Sequence, residues 1–178
     1  TQLYTVFEPS AQAEAIASIE SCVAYIRSWA TSNKLKINDD KTEIVYIRSR
    51  FHKSGDIPRV KVGDSMIKPV DRVKDLGVYI DEHLSMADHI NNVCRMALIS
   101  LRTVGQLRKY LDRSTTERLV HAFISSRLDT CNCLLYGLPE TDIAKLQRVH
   151  NSAARLVVGA KRSDHITPIL NNLHWLPI

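Results

Sequence analysis

The spacing of apolar positions changes period twice along this chain, and the second change divides it. Ala15, Ile16, Ile19, Cys22, Val23, Ile26 and Trp29 recur at three- and four-residue steps, the spacing that gathers one face of an α-helix. Pro9-Ser10 opens the pattern and Asn33 ends it. Leu35 and Ile37 then alternate with lysines, and Ile44-Val45-Tyr46-Ile47 is β-branched and aromatic. This predicts two short strands paired as a hairpin about an Asp39-Asp40 turn. Residues 48–58 are polar, with a Gly and a Pro, and read as a loop. Val60-Lys61-Val62, Met66-Ile67 and residues 73–80 predict further strands, with Gly63-Asp64-Ser65 as a turn.

After Asp81 the period lengthens from two to about three and a half. Ile90, Val93, Ala97, Leu101, Val104 and Leu111 line one face of a long helix. Ser114-Thr115-Thr116-Glu117 has the form of a capping box, in which Ser114 accepts from the Glu117 N–H and Glu117 reaches back. Leu119, Phe123 and Leu128 belong to the helix that this box opens, and Gly137-Leu138-Pro139 ends the stretch. Ile143, Leu146, Val149, Ala153, Leu156 and Val157 form another helix, stopped near Gly159. Residues 166–173 predict a last short helix. Trp175-Leu176-Pro177-Ile178 is apolar with nothing predicted to cover it, which points to a unit truncated at its C-terminus. The pattern therefore predicts an α+β chain: residues 1–82 as a helix on a small antiparallel sheet, and residues 83–178 as an all-helical domain.

Composition adds a charge asymmetry. The chain has 178 residues, 44% of them hydrophobic, enough to bury a core in one domain or two small ones. Residues 1–82 carry 12 basic and 12 acidic side chains, whereas residues 83–178 carry 12 basic and 7 acidic, so the whole net charge of +5 sits in the second half. A one-sided basic excess suits a polyanionic partner, most often nucleic acid, although ordinary solvation is the other reading of a charge this size. No apolar run approaches the ~18 residues of a membrane span, and the first residues lack the pattern of a signal peptide. Four scattered cysteines suit a reducing, intracellular compartment. Cys22 and Cys94 read as small core residues, and Cys131-Asn132-Cys133 lacks the C-x2-C spacing of common zinc sites.

The cations are the candidate chemistry. Arg95, Arg102 and Lys109 are seven residues apart, which at about 100° per residue places them on one stripe of the long helix. Lys145, Arg148 and Arg155 repeat the arrangement on the later helix, and Lys161-Arg162 follow. Rows of long cationic side chains match phosphates along a backbone; a solvated helix face is the alternative for either stripe. Asp39-Asp40 with Glu43 looks like a metal pair, but adjacent turn residues seldom converge on one ion, and no metal site is expected. None of the seven histidines has metalloprotease spacing, and no nucleophile elbow or phosphate loop is present.

Several phrases, in a fixed order, resemble one family. They are Thr1-Gln2-Leu3-Tyr4, Asn33-Lys34-Leu35-Lys36-Ile37-Asn38 with Lys41-Thr42-Glu43, Asp75-Leu76-Gly77-Val78-Tyr79-Ile80-Asp81, and Ser126-Arg127-Leu128-Asp129. With Leu134-Leu135-Tyr136-Gly137-Leu138-Pro139 and Leu173-His174-Trp175-Leu176-Pro177, they resemble the palm and thumb of a reverse transcriptase from a LINE-type (non-LTR) retrotransposon, over essentially the whole chain. The resemblance implies the end of a polymerase palm followed by a helical thumb. It places the catalytic Asp-Asp turn just before Thr1, so that this fragment would not polymerise alone. It implies an assisting role in nucleotide addition for Lys41, and a primer grip at Leu76, Gly77 and Val78. It implies a duplex grip by the basic thumb, through Arg95, Arg102, Lys109, Lys145, Arg148 and Arg155. The implied partners are an RNA template, a DNA primer or RNA–DNA duplex, and dNTP in the intact enzyme. Mg²⁺ is implied for the intact parent and no cofactor for the fragment, with nuclear and cytoplasmic residence for the parent element. A non-catalytic helical module that binds nucleic acid or protein is the alternative on the residues alone.

Overall fold

The computed structural model describes residues 1–51 and 58–178. Most of the expected 48–58 loop, and His52 with it, lies outside the described residues. The fold mixes helices with two small sheets, and it gathers into two compact units. One comprises Thr1–Val73 with Asp81–Leu84, the other Lys74–Ile80 with Ser85–Ile178.

In the first unit a 3-10 turn at Pro9–Ala11 leads into helix α1 (Gln12–Ser32). Its C-terminus is a Schellman motif. The Leu35 N–H donates to Ala30 O at 2.8 Å and the Lys34 N–H to Thr31 O at 3.1 Å, with Lys34 left-handed at φ 60°. That closure overturns one expectation. The Leu35 amide is spent on capping α1, so Leu35 and Ile37 form no strand, and Asp39–Lys41 is a 3-10 turn. Val45 pairs instead with distant Val70 in a single parallel bridge, and Ile44 O accepts from the Val70 N–H at 2.8 Å. The expected 35–47 hairpin is therefore absent.

Strands β1 (Val60–Val62) and β2 (Ser65–Ile67) form an antiparallel hairpin in the register Val60↔Ile67 and Val62↔Ser65. β1 packs on α1, burying Val60 and Val62, while Ala15 and Ala30 are the buried positions of the helix. Cys22, expected in the core, is exposed, and Trp29 is half exposed. Gly63 turns the hairpin at φ 63°, and a Cβ there would stand 2.6 Å from the Arg27 guanidinium carbon. Arg27 in turn pairs with Asp39.

Strands β3 (Arg72–Asp75) and β4 (Val78–Asp81) form the second pair. Their two-residue connection, Leu76-Gly77, is of a length that only antiparallel neighbours allow.

The second unit is helical. Helix α2 (Ala87–Leu107) is followed by a 3-10 turn (Arg108–Tyr110), then α3 (Arg113–Val120), an i→i+5 turn (His121–Ser125), and α4 (Ser126–Asp129) as one continuous rod. Helices α5 (Glu140–Val158) and α6 (Ile166–Leu173) complete it. The expected capping box at Ser114 is not used. Asp112 caps α3 instead, its carboxylate accepting from the Thr115 N–H at 2.7 Å, which holds the carboxyl below its ordinary pKa. This acidic residue, two positions before Ser114, has the extended backbone that an N-cap needs (φ −74°, ψ 171°).

The rod buries Thr116, Val120, Ile124 and Leu128 and leaves Phe123 half exposed. Spacing of four drifts about 40° per step on a regular helix. The i→i+5 turn, in which the Ser126 N–H donates to His121 O, takes up that drift. Thr116 is fully buried with its hydroxyl donating to Asp112 O at 2.7 Å. Across the core, α2 supplies Ile90, Ala97 and Val104, and α5 supplies Leu146, Val149 and Ala153. The alanines let α2 and α5 lie close, and each fully buried Ile or Leu contributes about 1.5–3 kcal/mol. Trp175, expected to be uncovered, packs against this core. Among the described residues no helix is long and apolar enough to cross a membrane.

Candidate nucleic-acid interface

The helical packing brings three of the expected cations to one place. Arg95 on α2, and Lys145 and Arg148 on α5, line a groove of about 430 Å³ with Asn91, Leu98 and Val149. The period of each helix explains it. Ile90 and Ala97 turn α2 inward at one face, Leu146, Val149 and Ala153 do so for α5, and the neighbouring cationic positions are left on the rim where the two helices meet.

The rim charges are held differently. Lys145 donates to Asp142 Oδ1 at 2.8 Å, one turn back, and lies 3.4 Å from Asn91 Oδ1 across the groove. Arg95 reaches Asn92 Oδ1 at 3.4 Å. Arg148 is exposed, and its guanidinium has no hydrogen-bond partner among the described residues. Cys94 also lines the groove. Burial pushes its thiol pKa up, and the Lys145 charge partly offsets this.

The other expected cations stand elsewhere. Arg102 is exposed on α2 and does not line the groove. Helix α2 ends at Leu107, so Lys109 falls in the following 3-10 turn, off the helical stripe, with its ammonium 4.8 Å from the centre of the Tyr110 ring. Arg155 is turned to the loop before α6, donating to Asp164 O at 3.1 Å, and its buried Nε has no partner among the described residues.

At the β3–β4 tip, Leu76 and Gly77 both have positive φ, 45° and 93°. This is the mirror-image turn that suits hairpins. Leu76 is 92% exposed while Val78 points inward. A Cβ on Gly77 would meet nothing within 4 Å, so its φ, not close approach of another group, is what calls for glycine here. Tyr79 N–H lies 3.5 Å from Nδ1 of His89, whose burial lowers its pKa.

In the first unit Lys41 is exposed on the 3-10 turn. Asp39 is engaged by Arg27 and Asp40 is exposed. Among the described residues no three His, Cys, Asp or Glu side chains converge as metal ligands would.

One cation with a structural role carries no signal in the sequence. Arg108 sends Nε to Leu156 O at 3.1 Å, Nη2 to Val157 O at 3.2 Å and Nη1 to Leu111 O at 2.9 Å. It caps the C-terminus of α5 from the end of α2. Nothing in its sequence neighbourhood distinguishes it from the cations around it.

No protein-family model, curated protein or solved structure matches this chain.

Proposed function

We propose that this chain is the late palm and thumb portion of an RNA-directed DNA polymerase of a LINE-type retrotransposon, positioning primer and duplex for RNA-templated DNA synthesis. The observation that carries the reading is the groove where Arg95, Lys145 and Arg148 meet across α2 and α5 in the net-basic half. Three cations converging from two helices match successive phosphates better than a solvated face does. The ordered phrases of the sequence support it, as does the exposed Leu76 on a tight hairpin tip, a shape suited to contact with a primer end. Lys41, exposed on its turn, is assigned the assisting role in nucleotide addition, and Arg102 a peripheral phosphate contact.

The test is binding of the chain to an RNA–DNA duplex with a recessed primer end, beside a blunt duplex and single-stranded RNA, over a range of salt. The reading expects preference for the recessed end. It expects Arg95→Glu with Arg148→Glu to weaken binding and to flatten its salt dependence, by about 0.9 in log–log slope for each phosphate that the variant leaves unneutralised. Equal binding to all three ligands would favour a general RNA-binding module. Negligible binding at low salt would favour a helical protein-interaction module. Either result overturns the polymerase reading.

A further inference from the structure

Past α6 the chain folds back on the helical unit through one aromatic contact. The Schellman motif that closes α6 places His174 in the left-handed conformation at φ 55°, with the Trp175 N–H donating to Leu170 O at 3.0 Å. The Trp175 indole then sits against two imidazoles. The His150 ring of α5 stacks on it, with centroids 5.1 Å apart and planes 15° apart, and the His121 ring meets it at 5.0 Å, tilted by 54°. Beyond Trp175, Leu176 is 84% exposed, and the Ile178 N–H donates to Gln147 Oε1 at 2.8 Å. Trp175 is thus the main apolar hold on the segment.

His150 is an unusual residue to find beneath it. Only 9% of the residue is exposed, and Nδ1 has no hydrogen-bond partner among the described residues. A neutral imidazole tolerates that position, because its flat face packs on the indole. An imidazolium there would bury a charge and an unmatched N–H donor, a cost that the cation–π attraction of the indole, about 0.5–2 kcal/mol, offsets only in part.

We propose that residues 174–178 form an acid-released strap, which the stacking of neutral His150 on Trp175 holds closed and which swings out about His174 when that imidazole gains a proton. The groups facing His150 set the balance. Burial lowers its proton affinity most. Asp129 on α4 opposes that, and His121 on the i→i+5 turn adds to it. His121 has Glu117 of α3 at 3.9 Å. On the strap side stand Trp175 and the exposed His174. Because closure depresses the proton affinity of His150, opening takes up a proton. Closure is therefore strongest above the ordinary histidine value of 6.5 and weakens as pH falls from there toward the lowered value of the closed form. Within that window the open-to-closed ratio rises up to about tenfold per pH unit.

The chain has two tryptophans, Trp29 and Trp175, so Trp29→Phe leaves Trp175 as the sole indole reporter. In that background we expect its emission to move to the red, and its quenching by acrylamide to rise, between about pH 7 and pH 5, with far-UV ellipticity unchanged. His150→Gln, which cannot be protonated, should abolish the acid shift. The proposal is overturned if emission stays blue across the range, if helicity is lost with the same midpoint, or if the shift persists in His150→Gln. Should that variant fail to fold, the His150 ring protons of the Trp29→Phe chain can be titrated by NMR. A midpoint coincident with the emission change upholds the strap, and a separate one overturns it.

Discussion

Arg108→Ala is the sharpest test of how the helical unit is held. The last carbonyls of a helix have no N–H four residues on to receive. In α5 the Leu156 and Val157 oxygens are among these, and the Arg108 fork takes both while its third bond reaches Leu111 O. Hydrogen bonds to a charged group contribute about 1.5–3 kcal/mol each, and neutral ones about 1. Part of this returns when water reaches the partly buried carbonyls, so the three bonds together are worth about 3 kcal/mol. Arg108→Ala should therefore lower Tm by about 6–12 °C at about 2–4 °C per kcal/mol. Arg108→Lys keeps the charge but not the fork, and should recover about half. The assay is urea unfolding followed by far-UV ellipticity, with the m-value checked for constancy. A destabilisation of less than about 0.5 kcal/mol in Arg108→Ala, or full stability in Arg108→Lys, would refute the assignment, since the first is the range of unremarkable surface changes.

Leu76→Asn should stabilise the chain by about 0.5–1 kcal/mol in denaturant titration, because Asn suits positive φ better than Leu. Under the proposed function the same change should weaken recessed-primer binding, so stability and affinity should move in opposite directions. Gly63→Ala should lower the thermal midpoint by the equivalent of about 1–3 kcal/mol, because it strains φ and displaces the Arg27 guanidinium from Asp39; an unchanged midpoint would count against that packing. The Thr115 backbone N–H, with the side-chain hydrogen bond second, depresses the Asp112 pKa. Its capping contribution is thus present above the ordinary carboxylate value and fades as pH falls through the depressed one. The Tm gap between wild type and Asp112→Ala should accordingly close in acid.

The helices were legible because tertiary packing and sequence period agree in them. The faces of α2 and α5 follow Ile90, Ala97, Val104 and Leu146, Val149, Ala153 as the spacing suggests. The β1 and β2 segments were legible from Val60-Lys61-Val62 and Gly63. The 35–47 hairpin failed because Leu35 offers one amide, and the Schellman closure of α1 claims it before a strand can. Ser114 lost the cap to Asp112 because two residues of capping type stood within one turn, and sequence alone does not rank them. Among the cations the period of each helix located the groove residues Arg95, Lys145 and Arg148. It could not see that Arg155 turns to Asp164 or that Arg108 turns to α5, because those partners are fixed by tertiary packing.

The four buried positions Thr116, Val120, Ile124 and Leu128 recur at a strict period of four, distinct from the 3.6 of a regular helix. The i→i+5 turn that satisfies it amounts to one residue inserted into an otherwise regular rod. Residue count and core register are therefore tied together here. Deleting one residue between Val120 and Leu128 would let the rod relax to regular winding and keep Leu128 facing inward. Deleting one between Arg113 and Thr116 would instead disturb the Asp112 cap and the Thr116 bond. An alignment of this chain with a relative that has a regular rod should accordingly place its single-residue gap at 121–125 and nowhere else in the rod.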